Sequence, residues 1–409
     1  MNTIAKAYVK LAFNLEKHDR GYVDFYFGPE ALKQEAQKEN KTLNQIKTEA
    51  AALIEKLENF SLKNSEQLLN QRLKSLIATL FALKVRAEMK SGKKFTFDEE
   101  SKALFGAVSP TFPDDYYENI LGRLDALLPG KESGKNLTER YEDFRKQFIV
   151  PPEKVDAVFK AAIDEGRKRT KEHIQLPENE NFLLEYVKDK PWGAYNWFKG
   201  DAVSLIQLNT DLPIYIDRAL DLACHEGYPG HHVFSTLVEQ KLYKEKIWLE
   251  FSIYPLYCPQ SLLMEGTANF GIEVAFPPAE RLKFEKEVLV PLAGIDPGQL
   301  ETYYRVLELT GKLSYARNDT VRLYFEGKIE REEAIKRLMQ FQLVTRDRAQ
   351  KSLRFVEIYG SYIINYNLGE DMVRAYIEKR GGTADNPEKR WQEFKKLLST
   401  PLLPEDLEK

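Results

Sequence analysis

The chain has 409 residues, 43% of them hydrophobic and 30% charged, with a formal net charge of −3. That length can bury a substantial core and admits one large domain or two to three smaller ones. The near-neutral balance gives no electrostatic ground for a nucleic-acid partner, and two cysteines, Cys224 and Cys258, are too few for a secreted disulfide scaffold.

Residues 1–20 lack the long uncharged apolar stretch and cleavage site of a signal peptide. Their Ile4, Tyr8, Leu11 and Leu15 recur at helical spacing instead. No apolar run approaches the roughly 18–20 residues that a membrane span needs. The expected location is the cytoplasm, with no membrane partner.

In chain order, residues 1–150 read almost wholly as helices, at 2–18, 29–40, 42–59, 64–91, 97–105, 113–128 and 137–148. Leu68, Leu69, Leu73, Leu76, Ile77, Leu80 and Leu83 form an apolar stripe in the fourth. Pro29 and Pro113 suit first-turn positions. Val150-Pro151-Pro152 interrupts the pattern and marks a lobe boundary. A helix at 153–174 follows, and then three strand-like runs at 182–187, 192–198 and 202–208. The last two are joined by Lys199-Gly200-Asp201, a hairpin signal. Helical texture returns near Tyr215 and dominates the rest, at 260–275, 278–288, 297–326, 330–341, 346–367, 370–380 and 387–398. The expected fold is mainly α. A helical N-terminal lobe spans 1–150 and a catalytic lobe 151–409. The latter carries a small antiparallel β-sheet at about 180–209, directly before metal-site helices at about 215–275.

Three of the five histidines fall in one stretch, Cys224-His225-Glu226-Gly227-Tyr228-Pro229-Gly230-His231-His232. A His-Glu pair followed by further His is how a helix offers a divalent metal two imidazoles and a general base. In a regular helix the second ligand belongs at i+4, which here is Pro229. At i+6, His231 sits about 240° around the axis. The motif therefore works only if the helix bulges, and Gly-Tyr-Pro-Gly supplies the means. A bulge pairs His231 with His225; pairing of His232 with His225 is the rival. Glu265, on a later helix, is the expected third ligand, with Glu273 the alternative and Asn269 placed to orient an imidazole. Gly266 and Gly271, costly inside a helix, suggest close packing on another helix. Zinc held by such a set leaves one position open for water. Glu226 then takes the proton and returns it to a leaving amine, and His232 or a Tyr donates to the developing oxyanion. Arg317 and Arg322 are candidates to hold a substrate carboxylate, with ordinary ion pairing as the alternative. Cys224 adjoins His225, but adjacent helical residues point about 100° apart, so a Cys-His dyad is disfavoured. His18 and His173, among charged residues, read as exposed.

These residues resemble a largely bacterial family catalogued as domain of unknown function 885. Its His-Glu-x-x-Pro-Gly-His-His motif stands here at His225 to His232. Its Glu-Gly-x-Ala-x-x-x-Glu pattern is similar to Glu265, Gly266 and Ala268, with the trailing Glu displaced to Glu273. Its Arg-aromatic pair and Tyr-x-x-Gly resemble Arg354-Phe355 and Tyr366 to Gly369, although Tyr359-Gly360-Ser361 stands where the family has Pro-Gly-Gln. The likeness covers residues 190–375. It implies a zincin-like metallopeptidase with a Glu as third ligand, with Tyr366 as oxyanion donor and the 202–208 strand as the edge along which a peptide lies. The resulting expectation is one zinc per chain on His225, His231 and Glu265, with Glu226, Tyr366 and His232 as catalytic groups acting on short peptides. The alternatives are hydrolysis of a non-peptide amide and a non-catalytic helical binding protein.

Overall fold

The computed structural model describes residues 1–60, 67–190 and 192–409. The chain is mainly helical with two small sheets. Helix starts follow local chemistry. Thr42, Thr96 and Asn136 each cap a helix and are answered three residues later by Gln45, Glu99 and Glu139 in reciprocal capping boxes. Pro29 and Pro113 sit one residue earlier than expected, at the N-cap. The apolar stripe lies on helix Gln67–Lys90, which buries Leu76, Leu80 and Leu83. The expected start of that helix, 64–66, lies outside the described residues. One apolar core extends from Ala5 to Leu407, so residues on both sides of Val150 contribute to it.

Strand β1 (Val23–Tyr26) was not expected in a segment that reads as helical. The next strands are β2 (Asn181–Val187), β3 (Ala194–Gly200) and β4 (Val203–Asn209), followed by β5 (Ile253–Pro255). β1 pairs antiparallel with β5. The hairpin between β3 and β4 forms as its turn residues indicated. The three-stranded sheet is nevertheless mixed rather than antiparallel, because β2 runs parallel to β4. Its order, β2-β4-β3, puts β4 in the centre. The strand at 202–208 is therefore no edge, and the edge beside the histidines is β3.

Two helices expected to be continuous are broken. The 297–326 segment divides into Leu300–Gly311 and Tyr315–Phe325. The 346–367 segment ends at Tyr359, where Gly360 takes a φ of +63° that a side chain rarely adopts. A short 3₁₀ turn, Gly360–Ile363, then leads into helix Ile364–Lys379. That helix packs on Pro259–Ala275 through glycines. A Cβ on Gly369 would stand 2.6 Å from the Leu262 carbonyl oxygen and 3.2 Å from Gly266 Cα. The expectation for Gly271 also holds: its Cβ would meet Phe394 Cζ at 3.0 Å and Pro229 Cγ at 3.1 Å.

Candidate metal centre

The first helix of the motif, Ile216–Leu222, widens into a π-helical turn over Ala223–Gly227. This is the bulge that the spacing required. The chain then passes a cis Tyr228–Pro229 bond and re-enters a helix at His231. Gly230 N–H donates to the Cys224 carbonyl at 2.9 Å, an approach so close that any Cβ at 230 would collide with the backbone of Cys224 and His225. Glycine is obligatory there for reasons of space.

The bulge brings His231 beside His225, with ring centroids 4.5 Å apart. Glu265 reaches them from helix Pro259–Ala275. Its Oε2 lies 3.3 Å from His225 Nε2 and 3.7 Å from His231 Nε2. One ligand atom from each of the three falls within 4.8 Å of the others. Glu265 Oε2 is buried and receives no hydrogen bond, while Oε1 accepts from the Tyr362 hydroxyl at 2.7 Å. Asn269 donates its amide N–H to the Tyr366 carbonyl at 3.0 Å, which turns its Oδ1 towards His225 Nδ1 at 2.9 Å. That contact fixes the Nδ1–H tautomer and leaves the Nε2 lone pair facing Glu265, as a metal ligand requires. Burial, reinforced by neighbouring His225, pulls His231 down to about 3, so its ring is neutral at physiological pH. Two neutral-capable imidazoles and an unsatisfied carboxylate oxygen fit a divalent cation of the zinc type. Glu273 is not part of the cluster, because Arg374 and Arg390 hold it, the latter at 3.0 Å.

Glu226 is 5% exposed and lines a cavity of about 500 Å³ together with His225, His231 and Glu265. Burial, opposed by His225 and reinforced by Glu265, pushes its carboxyl up to about 7. Tyr366 lines the same cavity, and among the described residues nothing bonds its hydroxyl. Burial holds that phenol well above 10, so it stays a proton donor. Arg317 lies near enough to Tyr366 for its charge to oppose that shift, and it has no carboxylate partner among the described residues. Arg322 is committed elsewhere, to Asp98 at 2.9 Å and Asp319 at 2.7 Å.

His232 is not brought to the site. Its ring is fully buried on the opposite side, with Nδ1 2.8 Å from Ser204 Oγ and Nε2 3.1 Å from Glu180 Oε2. Glu180 is further held by Tyr228, Arg167 and Lys171. The oxyanion role expected of His232 is corrected accordingly: it anchors the motif to the sheet. His232→Ala is expected to retain bound metal while lowering stability by about 1–3 kcal/mol, the cost of unsatisfied buried partners. Elemental analysis and urea unfolding check both halves. Cys224 and Cys258 are buried and unbridged, and burial pushes the Cys224 thiol far up, which leaves it inert. His18 is exposed, but His173 is half-buried, stacked on Trp391 at 4.7 Å.

No protein-family model matches the chain, and no curated protein does. Among solved structures it is similar to "the putative lipoprotein from Colwellia psychrerythraea", at 15% identity and a TM-score of 0.56, over 89% of this chain and 68% of that one. A second, "a putative lipoprotein of unknown function from Shewanella oneidensis", aligns at 13% identity and a TM-score of 0.43, over 92% and 74%. The first establishes a shared fold.

Sequence reading did not find Tyr362 or Glu180, nor Asp24 and Tyr195, which line the same cavity. Tyr362 lies one turn before Tyr366, but its partner Glu265 stands 97 positions away, so nothing local marks it. No helix among the described residues is long and apolar enough to cross a membrane.

Proposed function

We propose that this protein is a zinc-dependent metallopeptidase acting on short peptides. The observation that carries the reading is the convergence of His225, His231 and Glu265 in the wall of a cavity that Glu226 and Tyr366 also line. A divalent cation held by these three residues would supply Lewis acidity and make a water in the cavity easier to deprotonate. Glu226 takes the water proton and returns it to the departing amine. The Tyr366 hydroxyl donates to the carbonyl oxygen as negative charge builds on it, and Arg317 behind it favours the same charge. Asn196, on edge strand β3, donates to the Glu226 carbonyl at 2.6 Å, tying that edge to the metal-site helix. An extended peptide laid along β3 would pass over the catalytic carboxylate. Resemblance to the family of domain of unknown function 885 and a zincin-like architecture belong to the same proposal, as does a cytoplasmic location.

Elemental mass spectrometry of wild type beside His225→Ala tests the reading. About one zinc per chain is expected in the wild type, since three protein ligands with an open position is the catalytic arrangement. Its loss is expected in the variant. Absence of metal from both, after zinc is supplied, would remove the basis for every catalytic role. A peptide-library digest then separates peptide from non-peptide amide substrates.

A further inference from the structure

Strand β1 meets β5 with a break in register. Val23 faces Pro255 and Phe25 faces Tyr254, so Asp24 is the extra residue of a bulge. Bulges re-aim side chains and gather beside active sites. This one sets the Asp24 carboxylate in the wall of the cavity that holds His225, Glu226, His231 and Glu265.

Asp24 Oδ1 accepts from the Tyr195 hydroxyl at 2.9 Å, across from β1 to edge strand β3. Oδ2 has no partner, and no cation pairs with the carboxylate among the described residues. The basic groups nearby do not serve. Arg86 and Lys90 line the same cavity, but both are bound to Asp19, at 2.6 and 2.7 Å. Arg20 is exposed to solvent. Asp24 is half-buried; withdrawing a carboxylate from water without a counter-charge is costly, and that cost is relieved when a cation enters. The cavity is also rich in aromatic faces, including Tyr195, Tyr254 and Tyr359, which suit a cation.

We propose that Asp24, steadied by Tyr195, receives the free amino group of the substrate, so that the centre selects peptides and amino-acid amides with an unblocked N-terminus. This rests on the hydrolytic reading of the same cavity. The ammonium donates to Oδ2, while Tyr195 fixes the other oxygen and hence the plane of the carboxylate. An N-acylated substrate brings no charge and adds bulk at the same point. Asp24 acts here as a specificity residue and takes no part in bond cleavage.

The test compares Leu-Gly-Gly with N-acetyl-Leu-Gly-Gly on the zinc-loaded full chain. Wild type is expected to favour the free amine by at least about 100-fold in kcat/KM, well inside the roughly 10⁴-fold by which a site built for a polar group rejects an analogue that lacks it. In Asp24→Asn, which keeps an acceptor for Tyr195, the ratio between the two peptides is expected to collapse to about threefold or less. Equal rates on both peptides in wild type, or an undiminished ratio in Asp24→Asn, would overturn the proposal. If wild type cleaves neither, the hydrolytic reading fails, and the amino subsite is judged alone by calorimetry with leucinamide and N-acetyl-leucinamide. Binding of the first only, lost in Asp24→Asn, supports it. No discrimination between them rejects it.

Discussion

Glu226→Gln is expected to leave the bound metal in place and to lower kcat by roughly 10²–10⁴-fold, the usual worth of a positioned general base. In energy this is about 3–5 kcal/mol of transition-state stabilisation. The substitution is isosteric, and Glu226 lies outside the group of three residues whose ligand atoms converge. Metal content should therefore match the wild type by elemental analysis, and single-turnover kinetics should place the loss in the chemical step. Loss of metal from this variant would make Glu226 a ligand and sink the role assigned to it. A pH profile adds a second check. The base must be ionised to accept a proton, so kcat/KM falls as pH drops through its pKa. Burial sets that near 7 in the protein alone. A cation on the adjacent ligands favours the carboxylate and draws the value down. The acid limb is thus expected below pH 7.

How far the site could be read from the residues depended on whether its determinants were local. The bulge was legible because Pro229 occupies i+4 and excludes a regular two-His helix, and the π-turn at Ala223–Gly227 is the consequence. The glycines of Pro259–Ala275 were legible as a helix contact because Gly is otherwise costly there. What escaped was set by distant partners. β1 has four residues, and its partner β5 lies some 230 positions along the chain, so no local periodicity announces it. The direction of β2 depends on which strand it joins, and it passes over its sequence neighbour β3 to pair with β4. His231 and His232 carry the same local chemistry. The choice between them is made by Glu180 and Ser204, which hold His232 on the sheet side. Tyr362 was hidden because its partner Glu265 lies 97 positions upstream, and the break that precedes it in the expected 346–367 helix escaped for the same reason. The break follows from Gly360, whose N–H neighbour Ser361 donates to Glu100 Oε1 at 2.8 Å, an acid from a helix far upstream.

Gly369→Ala is expected to destabilise the fold by about 3 kcal/mol, at the upper end for overpacking, because the new methyl meets backbone rather than a side chain that can turn away. The Cβ would lie 2.6 Å from the Leu262 carbonyl and 3.2 Å from Gly266 Cα, so helices Pro259–Ala275 and Ile364–Lys379 must separate. Those two helices carry both halves of the site. Glu265 sits on the first, and the 3₁₀ turn that leads into the second holds Tyr362, whose hydroxyl fixes Glu265 Oε1 at 2.7 Å. Separation should loosen that bond and weaken metal retention, so chelator resistance is expected to fall together with the urea midpoint. Gly122→Ala supplies the contrast. It lies inside helix Asp114–Leu127 with nothing within 4 Å of a new Cβ. There the methyl only restricts the unfolded chain and favours helix, so a gain of about 0.5–1 kcal/mol is expected. Equal effects at the two positions would mean that the contact at Gly369 yields easily. The rigidity of Glu265 would then have to come from its bond to Tyr362 alone.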